Sequence, residues 1–193
     1  MAHTALGIYG SPRKGGNTDT LLDRTLEGAR AAGATVHAVY ARDLVMSGCR
    51  ECGGCDRTGE CVVDDDMQTV YPLLEQADRI YLASPIFFYG ITAQAKALID
   101  RVQAMWSKRM LTKTPEMRKT FDSGKGYLIA AGATKGKKLF LGVELTAKYF
   151  YDALDMTYEG GLLLRGLEKR SDAEKDAGLL EQAYRLGFES ASV

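Results

Sequence analysis

The 193-residue sequence predicts a three-layer α/β fold, a parallel sheet covered by helices on both faces. Two observations carry this. Short apolar runs of strand length alternate with longer amphipathic segments along the chain. Clusters of Gly, Pro, Ser and Asn punctuate the joins, and no internal repeat or low-complexity stretch interrupts the alternation.

Thr4 to Tyr9 reads as a buried strand ending at Gly10. The turn-rich loop GSPRKGGN leads into a helix, where Leu21, Leu22, Leu26 and Ala29 recur at helical spacing. Asn17 or Thr18 is the expected N-cap and Gly33 the stop. Thr35 to Tyr40, rich in β-branched and aromatic residues, is the second strand. A cysteine-rich loop spans residues 48–66, and its closing Asp64, Asp65 and Asp66 are placed to cap a helix beginning near Met67. Pro72 makes that helix short, kinked or restarted.

Arg79 to Ala83 is the third strand. A helix from about Thr92 to Ser107 follows, with Leu98, Ile99, Val102, Met105 and Trp106 as its apolar stripe. Residues 108–123 are polar and basic without a period and read as a surface loop. Gly126 to Ala131 is the fourth strand and Leu139 to Leu154 a long helix. Met156 to Leu164 holds a fifth strand interrupted by Gly160 and Gly161, and Leu179 to Phe188 lies in a closing helix.

Five alternations predict right-handed crossovers and the flavodoxin-like strand order 2-1-3-4-5. In that order a ligand lies beyond the strand C-termini, where the order reverses between strands 1 and 3.

Composition narrows the function classes. The hydrophobic share is 46% and the charged share 26%, ordinary for a globular chain. Lys+Arg and Asp+Glu both number 25, so nothing drives the chain broadly toward nucleic acid or an anionic membrane. No apolar run reaches the ~20 residues of a membrane span. The opening MAHTALGIYG lacks the basic-then-apolar pattern of a signal peptide. The expectation is one domain over residues 1–193, working in a reducing cytoplasm on a small-molecule electron donor or acceptor.

Three loops should converge on the ligand edge. GSPRKGGNT is neither a Walker loop nor a GxGxxG loop. It does join a strand to a helix N-terminus, where free N–H groups and the helix dipole attract phosphate. Ser11 and Thr18 add hydroxyls, Asn17 an amide and Arg13 a fixed charge able to fork onto phosphate. The alternative is a solvated loop with a good N-cap. SPIFFYGI leaves Phe87, Phe88 and Tyr89 where polar turn residues are usual, shaped by Pro85 and Gly90. A flat aromatic ligand would explain the surplus, as would a core plug or subunit interface. Gly132 and Ala133 in AGATKGKK are small enough to let a ligand near the backbone. A phosphate site beside an aromatic shelf suits flavin mononucleotide (FMN).

Together GSPRKGGNT, C-x2-C-x2-C-x5-C followed by DDM, and ADRIYLASPIFFYGITAQAKALIDR resemble the NADPH-dependent FMN reductase superfamily, and within it the iron–sulfur flavoproteins. The resemblance covers nearly the whole chain. It implies a flavodoxin-like fold with non-covalent FMN. It also implies that Ser11, Arg13, Asn17 and Thr18 hold the phosphate, while Pro85, Ile86, Phe87, Phe88, Tyr89 and Gly90 border the ribityl chain and ring. Phe87 stands where the family often has Tyr, so that hydroxyl is absent. The resemblance further implies a homodimer or homotetramer with FMN near a subunit interface.

All four cysteines, Cys49, Cys52, Cys55 and Cys61, fall in this one loop. The C-x2-C-x2-C spacing is one that [4Fe–4S] clusters use, and Gly59 in the longer last gap lets Cys61 return to the same cluster. Zinc, which favours two separated Cys pairs, remains open, as do reversible disulfides and an empty set of ligands. His3 and His37 form no triad with Cys or Ser, so no side chain is assigned as catalytic. Lys108, Arg109, Lys113, Arg118 and Lys119 read as a solvated face, or as a site for NADPH phosphates or an acidic partner. Trp106 reads as core or interface. The expected function is an FMN-dependent oxidoreductase using NAD(P)H. The alternatives are an electron carrier between protein partners such as ferredoxin, and a flavin-free zinc-binding or regulatory module.

Overall fold

The computed structural model describes residues 3–192. Its strands are β1 (Thr4–Tyr9), β2 (Thr35–Tyr40), β3 (Arg79–Pro85), β4 (Gly124–Gly132) and β5 (Met156–Arg165). Its helices are α1 (Asn17–Ala31), α2 (Met67–Gln76), α3 (Ala93–Arg101), α4 (Gln103–Thr112), α5 (Leu141–Ala153) and α6 (Ala177–Ala191). Every strand pair is parallel and the order is β2-β1-β3-β4-β5, as expected from the alternation. The direction of winding reverses between β1 and β3.

Period-two alternation divides each strand between two cores. Leu6, Ile8, Ile80, Leu82 and Leu128 face a core shared with Met67, Leu98, Val143 and Phe150 of α2, α3 and α5. Ala5, Tyr9, Tyr81 and Ile129 face the other, shared with Leu21, Leu22 and Leu26 of α1 and Ala183 of α6. Helices α1 and α6 touch backbone to backbone. A Cβ on Gly187 would sit 1.8 Å from Thr25 O, and one on Gly28 would sit 2.0 Å from Tyr184 O. Neither position accepts a larger residue without parting the helices.

Several local expectations are corrected. The N-cap of α1 is Gly16, not Asn17 or Thr18, and no side chain caps it. Asn17 is diverted because its amide bonds to a distant segment. The helix expected over 92–107 breaks at Val102 and resumes as α4, which runs on through Thr112 into the stretch read as loop. Thr92 caps α3 by accepting from Ala95 N.

The basic stretch is not simply a solvated face. Arg109 is buried, with Nε 2.8 Å from Asp155 and Nη1 3.0 Å from Asp152. Lys113 pairs with Asp122 and with Asp155. These acidic partners lie up to 46 residues away in sequence, beyond any local reading. The interruption expected at Gly160 and Gly161 appears as a shift in register against Gly126 and Leu128 of β4. Gly161 has φ 143°, and a Cβ there would meet Leu128 O at 2.1 Å. Among the described residues no helix is long and apolar enough to cross a membrane.

Candidate functional site

The loops after β1, β3 and β4 meet at the C-terminal edge of the sheet, around a cleft of about 240 Å3. Ser11, Arg13, Asn17 and Thr18 border one side. Pro85, Ile86 and Phe87 border another, and Gly132 and Ala133 also line it. Three further residues, Leu167, Glu168 and Arg170, enter from the segment after β5.

The first loop is folded by its own side chains. Buried Ser11 accepts from Arg13 N and donates to Arg13 O, both at 3.1 Å. Arg42 braces the loop from behind, donating to Ser11 O at 3.1 Å and pairing with Asp19 at 3.0 Å. Asp19 accepts from Gly15 N at 3.0 Å. Burial pushes the Asp19 carboxyl above its ordinary value, against the lowering pull of Gly15 N–H and Arg42. The N-terminus of the 15-residue α1 therefore opens on the cleft with no side-chain cap, leaving first-turn N–H groups for an anion. Arg13 is exposed there and makes no ion pair among the described residues.

A clasp joins this loop to the segment after β5. Arg170 donates to Lys14 O at 2.6 Å and Gly15 O at 3.2 Å. In return Asn17 donates to Lys169 O at 2.8 Å and accepts from Ala173 N at 3.0 Å. The Asn17 amide is thus engaged in the clasp, while Ser11, Arg13 and Thr18 remain at the cleft. Nothing local in the polar run around Arg170 signals this role, because its partners lie more than 150 residues away.

The aromatic loop closes on itself. Phe87 N donates to Gly90 O at 3.0 Å, and Gly90 N to Phe87 O at 2.9 Å. The two residues between, Phe88 (φ 49°) and Tyr89 (φ 62°), are both left-handed. Such turns ordinarily select Asn-Gly, so two aromatics here store backbone strain. The turn sends the aromatics in different directions. Phe87 borders the cleft, whereas Phe88, Tyr89 and Gly90 do not. Phe88 is fully exposed, and the Tyr89 hydroxyl points toward Gly136. Of the run expected to border one ligand, Pro85, Ile86 and Phe87 line this cleft and the other three residues lie away from it. Phe88→Asn is expected to raise the stability of the ligand-free protein by about 1 kcal/mol by relieving one left-handed aromatic. A higher midpoint in thermal unfolding checks this, and a lower one contradicts it.

The four cysteines border a second cavity, of about 600 Å3. None is in a disulfide. Among the described residues no three His, Cys, Asp or Glu side chains are gathered closely enough to hold a metal ion. Cys49 and Cys52 are exposed, and Cys55 and Cys61 half-buried. Positive φ at Gly53 (68°) and Gly59 (73°) turns the loop round the cavity.

Buried Arg101, the last residue of α3, anchors this loop. It donates to Asp65 at 2.6 and 3.0 Å in a fork, to Ser47 O at 3.0 Å and to Val63 O at 3.4 Å. Its Nη2 also lies 3.4 Å from Cys61 Sγ. Asp66 holds the N-cap position of α2 without a side-chain cap, and Asp65 accepts from Met67 N at 3.1 Å, so one carboxylate touches both helix and anchor. Burial raises the Cys61 thiol, but hydrogen bonds from Val63 N–H, Tyr71 and Arg101, with the Arg101 charge, leave it below its ordinary value.

The Arg101 hydrogen bonds hold the Asp65 carboxyl below its ordinary value, against burial. A depressed carboxyl stabilises the fold above its unfolded pKa, and that stability disappears as pH falls through the folded value. Asp65→Asn strands a buried guanidinium and is expected to cost about 3 kcal/mol near neutral pH. The difference from wild type should shrink below about pH 4. Urea unfolding at the two pH values checks this, and a pH-independent difference contradicts it.

The cleft is bordered by the uncapped N-terminus of α1, by Arg13 and by Phe87. The cavity offers four thiols with N–H and O–H donors beside them. A family model described as NADPH-dependent FMN reductase matches residues 4–137, from β1 through the loop after β4. The chain belongs to the NADPH-dependent FMN reductase family. The family match includes the first three cleft loops and all four cysteines, and stops before the clasp segment.

An iron–sulfur flavoprotein of Archaeoglobus fulgidus is 42% identical over 98 residues, 51% of this chain and 44% of that protein. The chain spans about half the length of the iron–sulfur flavoproteins it matches. A Bacillus subtilis protein, provisionally named as an NAD(P)H-dependent FMN-containing oxidoreductase, is 25% identical across 93% of both chains. The solved NAD(P)H:quinone oxidoreductase of Methanothermobacter marburgensis superposes with a TM-score of 0.67 at 12% identity, covering 100% of this chain and 98% of that one. That likeness is one of fold.

Proposed function

We propose that the protein is an FMN-dependent oxidoreductase that takes electrons from NAD(P)H and passes them to a small-molecule or protein acceptor. The observation that carries this reading is the uncapped N-terminus of α1, with Arg13 and Ser11, facing Phe87 across one cleft at the β1/β3 switch point. FMN, when bound, supplies hydride acceptance and one-electron release at its ring. The chain's own residues bind and orient it. Arg13, Ser11 and Thr18 would hold the phosphate with the first-turn N–H groups. Phe87, Pro85 and Ile86 would border the ribityl chain and ring, and Gly132 and Ala133 would leave room beside them. No side chain is assigned as proton donor.

Cys49, Cys52, Cys55 and Cys61 would bind a [4Fe–4S] cluster, which supplies single-electron exchange when present. Supporting this are the spacing, the shared cavity and the relationship to iron–sulfur flavoproteins. The exposed turn at Phe88 favours a homodimer or homotetramer, since an uncovered aromatic turn gains from a partner surface.

Exposure of Cys49 and Cys52 favours a second reading, exchange of electrons between protein partners such as ferredoxin. Steady-state NAD(P)H oxidation separates the two. Turnover with a quinone or free FMN as acceptor supports the enzyme. Reduction by reduced ferredoxin, with no NAD(P)H turnover, supports the carrier and contradicts the enzyme.

A further inference from the structure

Two side chains outside the cysteine loop direct hydrogens at its sulfurs. Arg101 presents Nη2–H to Cys61 Sγ at 3.4 Å, and Ser107 of α4 presents its hydroxyl to Cys55 Sγ at 3.6 Å. They are 2% and 3% exposed. The break at Val102 separates the helices that carry them, so α3 addresses one sulfur of the cavity and α4 another. Cys49 differs: its sulfur accepts at 3.4 Å from Glu51 N, a loop amide rather than a helix side chain.

A purely structural role explains part of this pattern. Arg101 ties Ser47, Val63 and Asp65 together, which would fix the loop whether or not its cysteines bind anything. It does not explain Ser107. Alanine would fill that buried place with no polar group left over, yet the hydroxyl is there and its hydrogen goes to sulfur. Nor does it explain why the guanidinium fork on Asp65 leaves Nη2 beside Cys61.

Resting on the cluster reading above, we propose that Arg101 and Ser107 are positioning residues that orient Cys61 and Cys55 and raise the potential at which the bound cluster accepts an electron. One electron adds one negative charge shared over the sulfurs. Donors and a fixed cation aimed at those sulfurs stabilise the reduced form more than the oxidised form. The effect is strong here because both donors are shielded from water. The outer sulfurs, Cys49 and Cys52, are left to solvent and to whatever exchanges electrons with the cluster.

The test uses the anaerobically reconstituted full chain with FMN. A mediated spectroelectrochemical titration follows the iron–sulfur absorption, the electrode supplying the single electron. Ser107→Ala is expected to keep its iron and sulfide and to shift the oxidised-to-reduced ratio at fixed potential about tenfold toward oxidised, a midpoint about 59 mV lower. Arg101→Lys keeps the charge but loses the fork, and its midpoint should also fall. Ser107→Thr restores the hydroxyl and should restore the midpoint. Ser107→Ala with full iron and an unmoved midpoint overturns the inference while leaving the cluster reading intact. So does loss of iron from Ser107→Ala with an unmoved midpoint in the cluster that remains. If Arg101→Lys fails to fold, the two Ser107 variants decide alone. Wild type that retains no iron or sulfide refutes the cluster reading, and this inference with it.

Discussion

Replacing any one of Cys49, Cys52, Cys55 or Cys61 by Ala is expected to remove most of the iron and sulfide that wild type holds after anaerobic reconstitution. FMN binding should be unchanged. Four thiolates hold a [4Fe–4S] cluster as one unit, so removing one leaves an iron without its ligand. The flavin is spared because its cleft and the cysteine cavity share no bordering residue. Other fillings of the cavity give different patterns. Zinc would show zinc in the metal assay and no visible band. A single disulfide would make two substitutions matter and two not. Iron and sulfide per chain, measured in wild type and the four single variants, distinguish these outcomes. Full iron retention in any one variant contradicts the four-thiolate reading.

Arg13→Ala is expected to weaken FMN binding tenfold to a hundredfold. Arg13 makes no ion pair among the described residues, whereas Arg42 is committed to Asp19 and Ser11 and the cleft's Arg170 to the carbonyls of Lys14 and Gly15. A charge-assisted contact of this kind contributes roughly 1.5–3 kcal/mol, which converts to that range of affinity. Arg13→Lys should recover part of the loss, since an ammonium keeps the charge but not the fork. Equal affinities for wild type and Arg13→Ala in a fluorescence titration would assign the phosphate to the α1 N–H groups alone.

The strand order was legible because alternation and period-two patterning depend on neighbours in the chain. That Ser11, Arg13, Thr18, Phe87 and Gly132 would border one cleft was legible for a related reason: in a doubly wound sheet, loops after adjacent strands must converge. What escaped were interactions between distant segments. Asn17 looked like a cap and became half of a clasp, because Lys169 and Ala173 arrive from beyond β5. Arg101 carries no mark in the sequence that sets it apart, yet Asp65 and Cys61 make it the anchor of the cysteine loop. Lys108 to Thr112 looked aperiodic because Arg109, a charged residue, occupies a buried position. Asp152 and Asp155, with the Arg118 carbonyl and the Phe121 ring, account for that burial. The left-handed Phe88 and Tyr89 carry no sequence signal at all, since the turn they form ordinarily selects other residues.

Titration of the flavin-free protein with FMN and, in parallel, with riboflavin tests the central claim most directly. The two ligands share the ring and ribityl chain and differ only in the phosphate. A cleft built on an uncapped helix N-terminus and Arg13 should bind one FMN per chain and prefer it over riboflavin by roughly a hundredfold or more, the combined effect of the charge-assisted contacts. Equal binding of the two, or no binding of either, would contradict it.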